Sequence, residues 1–489
     1  MPPKKASTKT KLTIPDFIND SRVKADLENL KKTFDPASNG GKPFVVSDVV
    51  DAEGNQYVNL VQKGGGVFGI ALVGYTYILE EMGIRFLRLA GTSAGAINTA
   101  LITVINNKQD KKSGAVLQAI CDLDFFSLVD GHPAARWLIR KFITKKYFVT
   151  KTKNWLLFLL GFFALLIIAD VVLIGLRSKY PALSAWAGAC FILSGFWSLL
   201  LGIGGSYIVN LLKRLKNSGF GINPGDVFYD WIKTLLLQNG VATVSDLNKK
   251  ASTCPPLSLR VPNESGLADL KGDVTFIASE LVTENKIQFP AMCSLFRTDV
   301  DTMQPAGFIR ASMSIPVFFE SYMINDIPYS DERIMAAWKS FFNNSCPPAS
   351  ARFVDGGILS NFPISIFYNS SIPVPRLPSF GIDLDDSKPG DKGENPFYWS
   401  LTGYLGRMFN TIRNYYDKDF LLKNEVYQKG VGKVDLSDDK YNWLNFFLSD
   451  QDKIDMFAMG AAAACQFLQT FDWNTYKDNR AALQKQLTK

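Results

Sequence analysis

Apolar residues in this chain gather into two kinds of run. Most are short. Residues 57–61 and 85–90 each carry a run of mostly apolar residues with little polar alternation, the pattern of strands buried on both faces. Between them, apolar positions recur at helical spacing from Ile70 to Met82 and stop at Gly83, a normal C-terminal cap. A second helical run covers 96–105. Phe353 and Val354 mark another short strand, and 379–384 reads as the last one, followed by a surface loop at 387–394. Two closing helices are then expected, one through Phe397, Leu401, Leu405, Met408 and Ile412, the other through Ile454, Ala458, Ala461, Cys465 and Leu468. Strands alternating with helices predict an α/β fold with a mainly parallel sheet in a three-layer core and a helical C-terminal part. In such a fold the site lies at the carboxyl edge of the strands.

The second kind of run is a single block, residues 155–212. Its first half, 155–176, is 22 residues with one charge, Asp170, long enough for a hydrocarbon core. Its sixteen Leu, Ile, Phe and Val residues favour insertion by roughly 5–10 kcal/mol, against about 3 kcal/mol for the aspartate. A polar turn, Arg177 to Pro181, leads to a second and milder span, 182–209, in which Ser184 with Gly188 and Ala185 with Ala189 form small-xxx-small pairs suited to close helix packing. Arg140, Lys141, Lys145, Lys146, Lys151 and Lys153 precede the block and Lys213, Arg214 and Lys216 follow it, outnumbering Arg177 and Lys179 in the turn. A transmembrane-like hairpin with both ends cytoplasmic satisfies that bias. A helical pair buried in a large soluble protein or homo-oligomer is the competing reading.

The expected organisation is a mobile basic tail at 1–42 with one short helical patch around Val23 to Leu30, two halves of one catalytic domain at 43–150 and 217–395 interrupted by the hairpin at 151–216, and a helical remainder at 396–489. The first 40 residues carry no apolar stretch that could be a signal peptide, so export is not expected. The net charge is +7 with a pI near 8.8. The basic residues cluster beside apolar spans and form no nucleic-acid module, so the expected partner is an anionic membrane surface and not nucleic acid. Six scattered cysteines without a C-x-x-C pair suggest thiols in a reducing compartment and no zinc site.

Three motifs carry the chemistry. Gly91-Thr92-Ser93-Ala94-Gly95 is a G-x-S-x-G pentapeptide between a predicted strand and a predicted helix. That is a nucleophile elbow, in which a sharp turn lifts the serine clear of the sheet and Gly91 and Gly95 leave room for the backbone. Upstream, Gly64-Gly65-Gly66-Val67-Phe68-Gly69 follows a predicted strand and opens a helix, so its N–H groups suit an oxyanion or a phosphate. The glycine spacing fits no dinucleotide fingerprint, and no Walker lysine follows. Downstream, Asp355-Gly356-Gly357 closes a predicted strand. The one histidine, His132, lies in a turn-like stretch. A serine nucleophile needs a proton acceptor, and a buried carboxylate of raised pKa can serve directly, so a Ser-Asp dyad is the economical reading.

The order of glycine-rich loop, G-x-S-x-G and D-G-G resembles the patatin-like phospholipase family, over most of the chain outside 150–215. Residues 310–316 and 276–280 are similar to that family's stretch before its aspartate and to its central strand. The resemblance implies Ser93 as nucleophile, Asp355 as general base, and Gly64, Gly65, Gly66 and Gly69 as the oxyanion loop. It implies hydrolysis of acyl esters of membrane phospholipids, of phospholipase A or lysophospholipase type, with no metal or organic cofactor. Many relatives carry a basic residue where this chain has Phe68, which puts substrate preference in doubt. The hairpin would hold the active-site mouth against the bilayer. The rival reading is a membrane-anchored or membrane-disrupting effector that keeps the fold without turnover.

Overall fold

The computed structural model describes residues 12–38, 40–144, 148–260, 270–344, 346–369, 371–372, 374–386, 401–438 and 440–487. The expected loop at 387–394, Phe397, the lysines of the first eleven residues, Lys145 and Lys146 lie outside them. The chain divides into two units, one formed by residues up to Asp130 with Gly225–Pro316 and Ser321 onward, the other by Gly131–Pro224 with Val317–Glu320.

The strands in chain order are β1 (Val49–Asp51), β2 (Gln56–Gln62), β3 (Ile84–Thr92), β4 (Gly221–Asn223), β5 (Leu257–Leu259), β6 (Asp273–Glu280), β7 (Asn285–Phe289), β8 (Val317–Phe319), β9 (Tyr322–Ile324), β10 (Ala351–Asp355), β11 (Ser379–Asp385) and β12 (Val431–Asp435). In the first unit the main path runs β12-β11-β2-β3-β6-β10-β9. The first five of these strands are mutually parallel, and β10 and β9 turn antiparallel at one end. Every residue of β2 is buried, as expected of a strand covered on both faces. The register decides what meets: Thr92 of β3 pairs with Ile277 of β6, and the next residue, Ala278, pairs with Asp355 of β10. Because β10 runs against β6, its last residue comes down beside the level at which β3 ends. The predicted helices appear as Gly69–Glu81 and Ala94–Val104.

Three expectations are corrected. Strand β11 is not the last, since β12 follows and takes the sheet edge next to it. Residues 13–33 are not a mobile tail, because helices Ile14–Ile18 and Ser21–Thr33 bury Phe17, Val23 and Leu30, with Phe17 edge-on to Phe457 at 5.4 Å. Thr13 with Asp16 and then Asp20 cap them, so short polar side chains that read as tail are start signals. The helix that receives them, Asp450–Thr470, also lies against Gly69–Glu81 at backbone distance. A side chain on Gly74 would strike the Phe457 carbonyl and one on Gly460 the Ala71 carbonyl.

In the second unit, helices Phe148–Leu176 and Ser184–Asn217 form a hairpin joined by a short turn at Pro181–Leu183. Lys153–Leu176 and Pro181–Asn217 are each long and apolar enough to cross a bilayer. Their apolar side chains face outward, Leu165, Trp186 and Ile192 among them, so within this chain they are not a buried pair. The third correction falls on the seam. Gly188 has nothing near it, and the second helix instead meets the first through Ala187, Cys190, Ser194 and Trp197, whose ring lies 5.8 Å from Phe162. Asp170 is turned inward as well, as a carboxylate in an apolar span should be.

Candidate active site

Ser93 stands between the last residue of β3 and the first of helix Ala94–Val104, at φ 53° and ψ −119°. A side chain pays for that conformation, and the two flanking glycines explain how the turn closes. A Cβ on Gly91 would meet the Gly95 carbonyl, and one on Gly95 the Gln62 carbonyl at the end of β2. Gln62 also ties the two elements by accepting from Asn98 and donating to Thr99 at 2.9 Å.

Asp355 is 7% exposed and Ser93 5%. The Ser93 hydroxyl is a neighbour of the Asp355 carboxyl that favours its charged form, and Gly357 N–H donates to Asp355 Oδ1 at 2.7 Å. Burial pushes the Asp355 carboxyl above the ordinary aspartate range, against the pull of these two neighbours and of the Arg413 charge. That state suits a proton acceptor, which needs to be a stronger base than a surface carboxylate.

A single segment fixes both residues. Ser312, at the end of helix Ala306–Ser312, accepts the Ser93 N–H at 3.0 Å, and Ser314 O accepts the Asp355 N–H at 2.8 Å. Ser314 Oγ is in turn bonded to Arg310. The 310–316 stretch was legible by resemblance alone, and its part here is to set the spacing of the pair.

The glycine-rich loop lies against the serine. The Gly64 Cα faces Ser93, leaving only 3.0 Å between Ser93 Cβ and a Cβ built there. The four expected oxyanion donors are not equivalent. Gly64 N–H donates to Asn361 O at 3.0 Å, and Gly69 N–H is used in the turn that opens the helix. Gly65 and Gly66 have no acceptor for their N–H groups among the described residues. Trp443 O accepts the Val67 N–H at 3.0 Å and occupies the place a Gly66 side chain would need. Phe68 is 2% exposed and turned into the core.

An apolar cavity of about 80 Å³ adjoins Ser93 and the loop, walled by Ile70, Ile97, Leu101, Phe228, Trp231 and Met313. Helix Leu401–Lys423 supplies two groups that no motif announced. Arg413 lies beside Gly357, and four residues on, Asp417 accepts from Ser360 Oγ at 2.7 Å and from Phe362 N–H at 2.8 Å. Burial pushes Asp417 up to about 6. His132 is exposed, and its Nδ1 accepts the Ala134 N–H at 3.2 Å at a helix start. No group of metal-binding side chains occurs among the described residues.

The patatin-like phospholipase model matches residues 60–368, which is most of the chain and includes all three motifs. The chain belongs to that family. It is a lipid hydrolase. A protein of Bacillus subtilis (strain 168), uncharacterized protein YqhO, is 24% identical over 420 residues, covering 85% of this chain and all of that one. Among solved structures, VipD from Legionella pneumophila aligns over 88% of this chain and 71% of its own at 12% identity and a TM-score of 0.34. ExoU, solved with SpcU from the type III secretion system of Pseudomonas aeruginosa, aligns over 88% and 58% at 11% identity and a TM-score of 0.29.

Proposed function

We propose that this patatin-like enzyme cleaves acyl esters of membrane glycerophospholipids through a Ser93–Asp355 dyad, as a phospholipase A or lysophospholipase. The observation that carries the reading is a serine held at positive φ beside a buried carboxyl of raised pKa. Ser93 Oγ attacks the ester carbonyl while its proton passes to Asp355. Gly65 and Gly66 N–H donate to the oxyanion, and Gly64 and Gly69 hold the loop in place. The tetrahedral intermediate collapses, the leaving alcohol takes the proton from Asp355, and the acyl group stays on Ser93. Water, deprotonated by Asp355, then releases the fatty acid and restores the serine. The apolar cavity beside Ser93 receives the start of the acyl chain.

The hairpin is read as a bilayer anchor, supported by its length and its outward apolar faces. The basic flanks support a cytoplasmic hydrolase unit. The decisive experiment is mass spectrometry of mixed phospholipid vesicles incubated with the wild type, Ser93→Ala and Asp355→Asn. Free fatty acid and lysophospholipid from the wild type alone are expected. Product from Asp355→Asn at wild-type rate would sink the dyad, and dye leakage from vesicles that persists in Ser93→Ala would favour a membrane-disrupting effector.

A further inference from the structure

At the other end of β3 from Ser93 the first unit holds a second cavity, of about 270 Å³, near the lower bound of small-molecule sites. Seven residues of strand at about 3.3 Å each, roughly 23 Å, separate Arg85 from Thr92. Four cations line it: Arg85, Lys108, Lys112 and Lys250. The first three are 6%, 9% and 4% exposed, which is unusual for such groups without an ion-pair partner.

No carboxylate stands within ion-pair distance of them among the described residues, although Asp273 acts on Lys108 and Glu80 and Asp110 act on Lys112 from further off. Lys108 Nζ donates to Leu87 O at 2.9 Å and Lys112 Nζ to Ile105 O at 2.6 Å, one bond each from groups with three donors. Arg85 donates to the carbonyls of Glu80, Ile84 and Gln109, and Lys250 to that of Asn106. The two carboxylates on the lining are otherwise engaged. Glu80 Oε2 accepts the N–H groups of Lys112 and Ser113 while Oε1 has no partner, and burial pushes its carboxyl upward, toward the uncharged form. Asp110 Oδ2 accepts the Asn107 N–H. Burial pulls Lys108 down to about 8 and Lys112 down to about 7, so their surroundings disfavour the charge these residues carry in water.

We infer that this cavity is a binding site for a small phosphate-bearing anion, held by Lys108 and Lys112 with Arg85 and Lys250 at its side. A phosphate oxyanion would take the spare ammonium donors and bring negative charge into direct contact with them, which no carboxylate of the described residues does. The site is separate from ester hydrolysis and does not depend on the dyad.

The test uses the full chain in non-ionic detergent, titrated with inorganic phosphate and with glycerol 3-phosphate against chloride at matched ionic strength. Calorimetry and thermal unfolding are read together. Saturable binding of a phosphate probe and a rise in melting temperature are expected. Lys108→Met and Lys112→Met should each weaken binding about tenfold or more while raising the ligand-free melting temperature, because a buried charge is removed. Tighter binding of glycerol 3-phosphate identifies an organic phosphate ester as the ligand class, and tighter binding of phosphate the free ion. Lys250→Met, at the more exposed side, tests the same site without touching a buried group and should weaken binding several-fold. Binding no better than chloride, or unchanged in all three variants, overturns the inference.

Discussion

Replacing Ser93 by glycine and, separately, by alanine separates the cost of the elbow from its chemistry. Both variants lose the hydroxyl, so both leave Asp355 without that neighbour and both lose turnover. They differ only in the Cβ, which alanine keeps at φ 53° and ψ −119°. A non-glycine residue in so sparsely populated a region stores on the order of 1–3 kcal/mol. Glycine returns about 0.5–1 kcal/mol through the greater freedom of its unfolded chain. The balance leaves Ser93→Gly more stable than Ser93→Ala by about 1 kcal/mol, or about 1 °C in melting temperature for a chain of this length. Thermal and denaturant unfolding of the two variants in the same detergent measures the difference. A glycine variant no more stable than the alanine one would show that the elbow holds no strain at this residue.

Two further outcomes follow from the geometry. Asp417→Asn should change how stability depends on pH. A carboxyl raised to about 6 in the folded state binds its proton more tightly there than in the unfolded chain, so its contribution is present below about pH 4 and lost as pH rises through 6. That loss is on the order of 3 kcal/mol, and the difference between wild-type and variant unfolding curves, recorded from pH 4 to 7, should show it; parallel curves would refute the assignment. Replacing residues 155–212 by a short linker should spare hydrolysis of a soluble short-chain ester and abolish hydrolysis of vesicles. Equal loss of both would assign the hairpin a folding role.

What could be read from the sequence was local. The buried strands, the helix ending at Gly83 and the three motifs each declare themselves within a dozen residues, because strand burial, glycine geometry and caps are short-range properties. Residues that act across the fold gave no such signal. Ser312 and Ser314 lie in a recognised stretch, but nothing in it says that their oxygens accept from two different strands. Arg413 and Asp417 are two ordinary charges on a predicted helix, and only the tertiary placement of Leu401–Lys423 brings them to the D-G-G turn. Helix Ser21–Thr33 shows in the sequence as a short helical patch, but its docking does not, because its burial depends on very few side chains amid many lysines. Strand β12 was missed because Val431-Gly432-Lys433-Val434-Asp435 alternates like a half-exposed strand with too few residues to stand out. The donors of the glycine loop could be ranked only once Asn361 was seen to occupy one of them.

The position of the hairpin also sets an order of events in synthesis. Ser93 precedes it and Asp355 follows it, so the ribosome completes both apolar helices before it reaches the strand that carries the carboxylate. A nascent chain therefore holds the elbow and the glycine loop but not the proposed proton acceptor while the hairpin emerges. The proposed pair can assemble only on a chain whose hairpin already exists. On the proposed mechanism the hydrolase is thus kept inert, by chain order alone, until the proposed anchor has been synthesised.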